Sequence, residues 1–131
     1  MIIMKGYVTT IEKETEKNAD FRRVLYTGKY SQLVLMNLKL GEEIGEETHT
    51  DVDQFFRFEQ GEGKVTIDGV EHSVKDGDAV IVPAGTWHNI INNSKTKKLK
   101  MYTIYSPPNH PPGTIHKTKA DAEKAEAEHH H

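Results

Sequence analysis

The feature that most constrains the fold is a dense series of turns between residues 41 and 85. Glycine, Asp-Gly and Pro-Ala-Gly turns separate short runs that are rich in Val, Ile, Phe and Thr. The clearest is Asp68-Gly69, between residues 65–67 and 70–74, because Asp-Gly tolerates the positive φ of a two-residue type I′ hairpin turn. Strands of this length at this spacing predict an antiparallel all-β sandwich or barrel.

Four further segments alternate as strands do. Residues 21–26 end at a glycine turn and predict one strand, and residues 33–40 predict a second whose apolar side chains share one face. Residues 99–105 predict the last long strand. Residues 7–9 predict an edge strand, and the charged run at 12–18 predicts a solvated turn after it.

The chain changes character after residue 105. Four prolines between residues 106 and 113 remove ladder donors and break regular structure. Beyond them the sequence is mostly alanine and charge, and Thr118 is placed to cap a short helix with Asp121 in its first turn. The histidines at 129–131 are either native or the remains of a purification tag, so they are excluded from functional reasoning.

The length of 131 residues suits one domain with one core. We predict three parts within it. Residues 1–32 are an N-terminal strand extension that joins the barrel or a dimer contact, and residues 33–105 are the barrel core. Residues 106–131 are the proline-rich loop and the charged helical tail.

The composition excludes several kinds of function. The chain has no cysteine, so thiolate catalysis, disulfides and cysteine-ligated metals are excluded. The net charge of -3, with both signs mixed along the chain, predicts no nucleic acid partner. The sequence contains no bilayer-length apolar run and no export signal, which predicts a soluble cytoplasmic protein without a membrane partner. A small molecule is the expected ligand.

Four side chains are placed to converge on one point. Glu47 and His49 are two residues apart, so on a strand they point the same way, and a turn at 51–53 lets Gln54 face them. His88 follows the tight turn at 83–85. A single histidine is more often structural, but two imidazoles with a carboxylate are typical of non-haem iron and also suit Mn, Zn, Ni or Co. The joint spacing predicts a divalent metal site whose metal identity stays open.

The two stretches that carry these side chains resemble the two motifs of the cupin superfamily, in its small single-domain form. Residues 77–92 fit Gly-x5-Pro-x-Gly-x2-His-x3-Asn, the second cupin motif, without exception. Residues 41–61 fit the first motif at both glycines and at His49. Glu47 stands where the family usually has its first His, and Gln54 where it has Glu. The resemblance therefore implies a ligand set of Glu47, His49, Gln54 and His88.

The resemblance also implies a fold and a range of functions. The fold is a double-stranded β-helix, or jelly-roll barrel, with a short C-terminal helix or tail, and the assembly is a homodimer. One function is a metalloenzyme at the barrel mouth, either a dioxygenase or a sugar-phosphate isomerase. The alternative is a non-catalytic cupin that binds or senses a small molecule, including one that has lost its metal. Fold alone does not choose between them.

Other side chains are candidates for the pocket wall. Phe56 shares the parity of Gln54 and is expected to line the interior, while Trp87 lies beside His88 and suits either a lid or a dimer contact. Asn37 and Tyr105 are expected to point inward near the site. The remaining histidines outside the terminal run are interpreted as surface or loop residues: His72, His110 and His116.

Overall fold

The computed structural model describes residues 5–129. Residues 1–4 of the predicted N-terminal extension and the histidines at 130 and 131 lie outside these described residues. The described elements, in chain order, are α1 (Ile11–Lys17), β1 (Arg22–Thr27), β2 (Gln32–Leu38), β3 (Asp53–Gln60), β4 (Glu62–Ile67), β5 (Val70–Lys75), β6 (Ala79–Val82), β7 (His88–Ile91), β8 (Leu99–Ser106), β9 (Ile115–His116) and α2 (Lys119–His129).

Two antiparallel sheets enclose the core. The larger sheet has six strands in the order β6-β3-β8-β2-β1-β9, and the smaller has three in the order β5-β4-β7. The buried cluster draws Phe56, Phe58 and Met101 from the larger sheet and Val65 and Ile90 from the smaller one. This arrangement confirms the predicted all-β jelly-roll with a short C-terminal helix.

The local turn chemistry acts as expected at the β4–β5 hairpin. Asp68 has φ 52 and Gly69 has φ 81, which are the two positive values that a type I′ turn requires. Residues 62–67 then pair in register with residues 70–75. The predicted strands at 21–26 and 99–105 are also present, as β1 and β8, and the predicted strand at 33–40 is β2 but ends at Leu38.

The prediction for residues 7–18 is wrong. No strand forms at 7–9, and the charged run forms helix α1, which contacts β2, β3 and β8. Acidic Glu12 and Glu14 lie in its first turn and Lys17 in its last, which suits the helix dipole. Thr15 is fully buried and donates its hydroxyl to the Ile11 carbonyl. Charges that suggest a solvated turn therefore belong to the outer side of a packed helix.

The prediction for the C-terminal helix is confirmed. The hydroxyl of Thr118 accepts a hydrogen bond from the Asp121 backbone N–H at 3.1 Å, and the Asp121 carboxylate accepts one from the Thr118 N–H at 3.3 Å. This reciprocal pair is a capping box and satisfies donors that a helix start leaves free. It fixes where α2 begins beside the sheet.

Two glycines with nearly the same backbone angle provide a test of the packing. Gly61 has φ 90 and Gly77 has φ 91, but a Cβ at residue 61 would lie 2.5 Å from the Lys98 carbonyl oxygen, whereas none of the surrounding atoms lies within 4 Å at residue 77. We expect Gly77→Ala to lower the free energy of unfolding by about 1–2 kcal/mol through backbone strain alone. Gly61→Ala should cost at least about 1 kcal/mol more, because overpacking is added. Urea denaturation of both variants measures the difference, and equal losses would contradict it.

Candidate metal centre

Main-chain hydrogen bonds bring the two motif segments together. The Glu47 N–H donates to the His88 carbonyl and the His88 N–H donates to the Glu47 carbonyl, each at 2.9 Å. The Gly85 N–H donates to the His49 carbonyl at 2.8 Å, so the 83–85 turn holds His49 in place as well. Residues 47–49 are thus held by the backbone although they lie outside the regular strands.

Three donor side chains meet at this point. Glu47, His49 and His88 each offer one ligand atom, and these atoms all lie within 4.8 Å of one another. Glu47 Oε1 lies 3.4 Å from His49 Nε2 and 3.6 Å from His88 Nε2. Two donors that each lie about 2.1 Å from one ion are separated by roughly 3.0–3.4 Å, so the observed spacing is close to that of a shared metal.

The histidine nitrogens are available to a metal. Within the described part of the chain, the Nε2 atoms of His49 and His88 are buried and have no hydrogen-bond partner. His88 Nδ1 lies 3.0 Å from the Thr86 carbonyl, which can only accept, so Nδ1 carries a proton, and in the neutral ring Nε2 is the nitrogen with the lone pair that a metal needs. Buried polar atoms without partners are costly, and a cation at this point would remove that cost.

The electrostatics of the cluster favour an ionised carboxylate. Burial alone would raise the pKa of Glu47, but the contacts and charges of the His49 and His88 imidazoles outweigh it and lower this pKa to about 2. Burial opposes protonation of His88, yet Glu47 and the Thr86 carbonyl raise the pKa of that imidazole. The group that must be anionic to bind a metal is therefore anionic throughout the neutral range.

Gln54 is buried on β3, and the nitrogen of its side-chain amide is already hydrogen-bonded within the protein. Its Nε2 donates to the Thr103 hydroxyl at 3.0 Å, and its Oε1 is buried and unpartnered among residues 5–128. The amide is therefore oriented with its only potential ligand atom, the oxygen, left free. Its assignment as a fourth ligand stays a prediction.

Of the four predicted pocket residues, three are buried and one is largely exposed. Tyr105 is buried, and its ring stands edge-on to the His49 ring with centroids 5.9 Å apart. Phe56 is buried with its ring centroid 6.3 Å from that of His88. Asn37 is buried on β2, and its Oδ1 has no hydrogen-bond partner among the side chains and backbone of residues 5–128. Trp87 is 52% exposed and is not among the residues that line the cavity beside the cluster. Their roles in ligand binding stay predictions.

Beside Glu47 and His49 lies a cavity of about 570 Å³, and much of its wall is not predicted from the sequence. Arg22 from β1 lines it, as do His110 and His116, which the sequence suggests are surface or loop residues, and α2 contributes Ala122 and Ala125. These side chains come from segments that share no motif. The sequence could have indicated Arg22 as a cavity residue only if the pairing of β1 with β9 were known, because that pairing sets Arg22 opposite His116.

A glutamine on β2 positions the loop that carries His110. Gln32 is buried, and its Oε1 accepts hydrogen bonds from the Asn109 and His110 N–H groups at 3.1 and 3.0 Å. Its Nε2 donates to the His110 carbonyl at 2.7 Å. The ring of His110 then packs edge-on against Tyr105, with centroids 5.1 Å apart.

The fold and the donor cluster define this protein as a member of the cupin family. A family model described as a cupin domain matches residues 34–105, which include both motif stretches. The predicted resemblance is thereby confirmed.

Related proteins share more than this domain. The chain is 51% identical to YrkC of Bacillus subtilis, a protein of uncharacterised function, over 93% of this chain and 68% of that protein. It is 48% identical to L612 of Acanthamoeba polyphaga mimivirus, also uncharacterised, over 83% of this chain and 70% of that one. The crystal structure of BH2720 from Bacillus halodurans aligns with a TM-score of 0.89 at 44% identity, over 92% of this chain and 95% of its own.

Neither α1 nor α2, the helices of the described chain, has the length and apolar character needed to cross a bilayer.

We expect the ring of His110 to stay neutral from pH 8 to pH 5. Burial, followed by the charge of Arg22, lowers the pKa of His110 to about 3, so protonation should begin only well below pH 5. Long-range ¹H–¹⁵N spectra of the ring should therefore stay constant over that interval. Arg22→Gln should raise the midpoint, whereas Arg23→Gln, on the exposed side of the same strand, should not. A wild-type midpoint between pH 5 and pH 8 would contradict the assignment.

Proposed function

We propose that this cupin binds a divalent metal through Glu47, His49 and His88, with Gln54 as a fourth donor, and uses it to hold a small oxygen-bearing ligand. The observation that carries the proposal is the convergence of an ionised carboxylate with two buried imidazole nitrogens that lack partners. Two imidazoles and a carboxylate suit Fe, Mn, Zn, Ni or Co, and this donor set does not choose among them.

The neighbouring ionisable groups limit what the protein itself can contribute. Burial raises the pKa of Tyr105 to about 12, and burial with the Arg22 charge lowers that of His110 to about 3. Neither group can exchange a proton readily near neutral pH, so a general acid or base role does not suit them. Their role is to shape the cavity and to donate or accept hydrogen bonds.

These limits favour two functions. One is a metalloenzyme, such as a dioxygenase or a sugar-phosphate isomerase, in which a bound metal would supply Lewis acid or redox chemistry. The other is a non-catalytic module that binds or senses a small molecule, and it is favoured because the pKa values of Tyr105 and His110 both lie far from neutrality. The cytoplasmic location and the homodimer expected from the resemblance stay predictions.

The metal site is tested by replacing its imidazoles. We expect untagged protein to bind one divalent ion, and His49→Ala or His88→Ala to weaken binding at least about 100-fold, because each removes a donor. Isothermal titration with each candidate metal and elemental analysis of the purified protein measure this. His72→Ala is the matched control, since His72 is exposed on β5 and outside the donor cluster. Metal content unchanged in both site variants would refute the proposal.

Gln54 is tested by restoring the carboxylate that the family usually has there. Without metal, Gln54→Glu buries a charge at a site that is 2% exposed and should lower the melting temperature, because burial penalises a carboxylate. With metal, the variant should bind about tenfold more tightly and recover its stability. Gln54→Met, which removes the oxygen donor, should bind more weakly. If neither variant changes the metal Kd, Gln54 is not a ligand.

A further inference from the structure

We propose that the cavity beside the donor cluster takes a small organic anion, and that Arg22 binds its anionic oxygen group, a carboxylate or a phosphate ester. This inference rests on the proposed function for one half of the site, since the remainder of the ligand would extend toward Glu47, His49 and His88. It deepens that function by naming the substrate class. It also assigns a role to a residue outside both cupin motifs.

Arg22 is a buried cation with unused donor capacity. The residue is 7% exposed, and its Nε is buried without a hydrogen-bond partner in the part of the chain that the structure describes. Its Nη1 lies 3.3 Å from His116 Nδ1, and the guanidinium carbon lies 5.3 Å from the centroid of the Phe21 ring. Neither contact neutralises the charge, and guanidinium groups do not lose their proton in proteins.

The acidic groups near Arg22 do not pair with it. No carboxylate oxygen of residues 5–128 lies within 4.0 Å of its guanidinium nitrogens. Glu47 and Glu126 also line the cavity, but Glu47 contacts the two imidazoles of the donor cluster instead. A buried charge without an ionic partner is costly, so an anion that supplied one would be bound strongly.

His110 and His116, which line the cavity with Arg22, add no positive charge to it at neutral pH. Burial first, and the Arg22 charge second, lowers the pKa of both His110 and His116, with Glu47, Asp121 and Glu126 acting in the opposite direction. The arginine is therefore the fixed positive charge of this wall, and the imidazoles beside it are neutral hydrogen-bonding groups at neutral pH.

The geometry connects this cation to the donor cluster through one space. Arg22, Glu47 and His49 all line the same cavity of about 570 Å³, a size that suits a small-molecule site. Nη1 is the guanidinium nitrogen that contacts His116. A guanidinium carries five N–H donors in a planar fork, so donors remain for the paired oxygens of a carboxylate or phosphate.

A structural role for Arg22 predicts a different result. If Arg22 only attached β9 to β1 through His116, its replacement would change stability and not ligand charge preference. Arg23 is the matched control, because it is the next residue of β1, its side chain is 45% exposed, and it pairs with Asp20 at 3.3 Å. Arg22→Gln and Arg23→Gln remove the same charge from opposite sides of one strand.

The experiment compares anionic and neutral probes on untagged, metal-loaded protein by isothermal titration. We expect lactate or glycerol 1-phosphate to bind and their neutral counterparts, lactamide and glycerol, to bind at least about tenfold more weakly. The anion that binds more tightly identifies the group as carboxylate or phosphate. Arg22→Gln should abolish this preference and weaken anion binding at least about tenfold, whereas Arg23→Gln should leave it unchanged.

Two further measurements separate the possible failures. If Arg22→Gln does not fold, Arg22→Lys replaces it, since it keeps the charge and loses the fork, and a loss of threefold or more is then expected. Metal affinity is measured in the same Arg22 variant and should change less than about threefold. The probe titrations are repeated on metal-free protein, so failure of the metal proposal would appear as absent metal binding in wild-type protein, with the Arg22-dependent preference still measurable without metal. Equal effects at Arg22 and Arg23, or no preference for anions, would overturn the inference.

Discussion

The site depends on the mutual backbone hydrogen bonds between Glu47 and His88. Residues directly opposite each other in an antiparallel pair place their side chains on the same side, so this pairing sets the carboxylate against the imidazole. The bond from Gly85 to His49 adds the third donor to the same frame. The main chain therefore fixes the three donor residues relative to one another, and the Thr86 carbonyl orients the His88 ring, so the cluster is pre-organised for a cation.

The sequence predicts the parts of this frame that depend on particular residue types in turns and in the two motifs. The hairpin at Asp68-Gly69 follows from the φ values that the turn needs, and the close approach at Gly61 leaves no room for a Cβ. Asn92 donates its side-chain amide to the carbonyls of Leu38, Lys39 and Lys97, so a residue of the motif holds three chain segments together. Such requirements appear in the sequence as particular residues at fixed spacing, and for that reason the barrel and the three donor residues could be predicted.

Other parts have no local cause and could not be predicted in the same way. The charges of residues 12–18 predict a solvated turn, but the structure has helix α1 there. Thr15 is buried because this helix packs on the sheet, which the local sequence does not indicate. Arg22, His110 and His116 come together because β1 pairs with β9 and because Gln32 holds the intervening loop. These contacts join segments that are distant in sequence, and neither spacing nor periodicity encodes them.

The pairing of β1 with β9 divides the site into two halves of different origin. The barrel supplies the potential metal donors Glu47, His49 and His88, and β1, the proline-rich loop and α2 supply other residues that line the cavity. If the cavity holds the proposed anion, changes in the outer half would alter which ligand is accepted while the donors stay intact. We therefore expect relatives that keep Glu47, His49 and His88 to differ in specificity through substitutions at 22, 110 and 116, which would make the donor set by itself a poor guide to shared substrates.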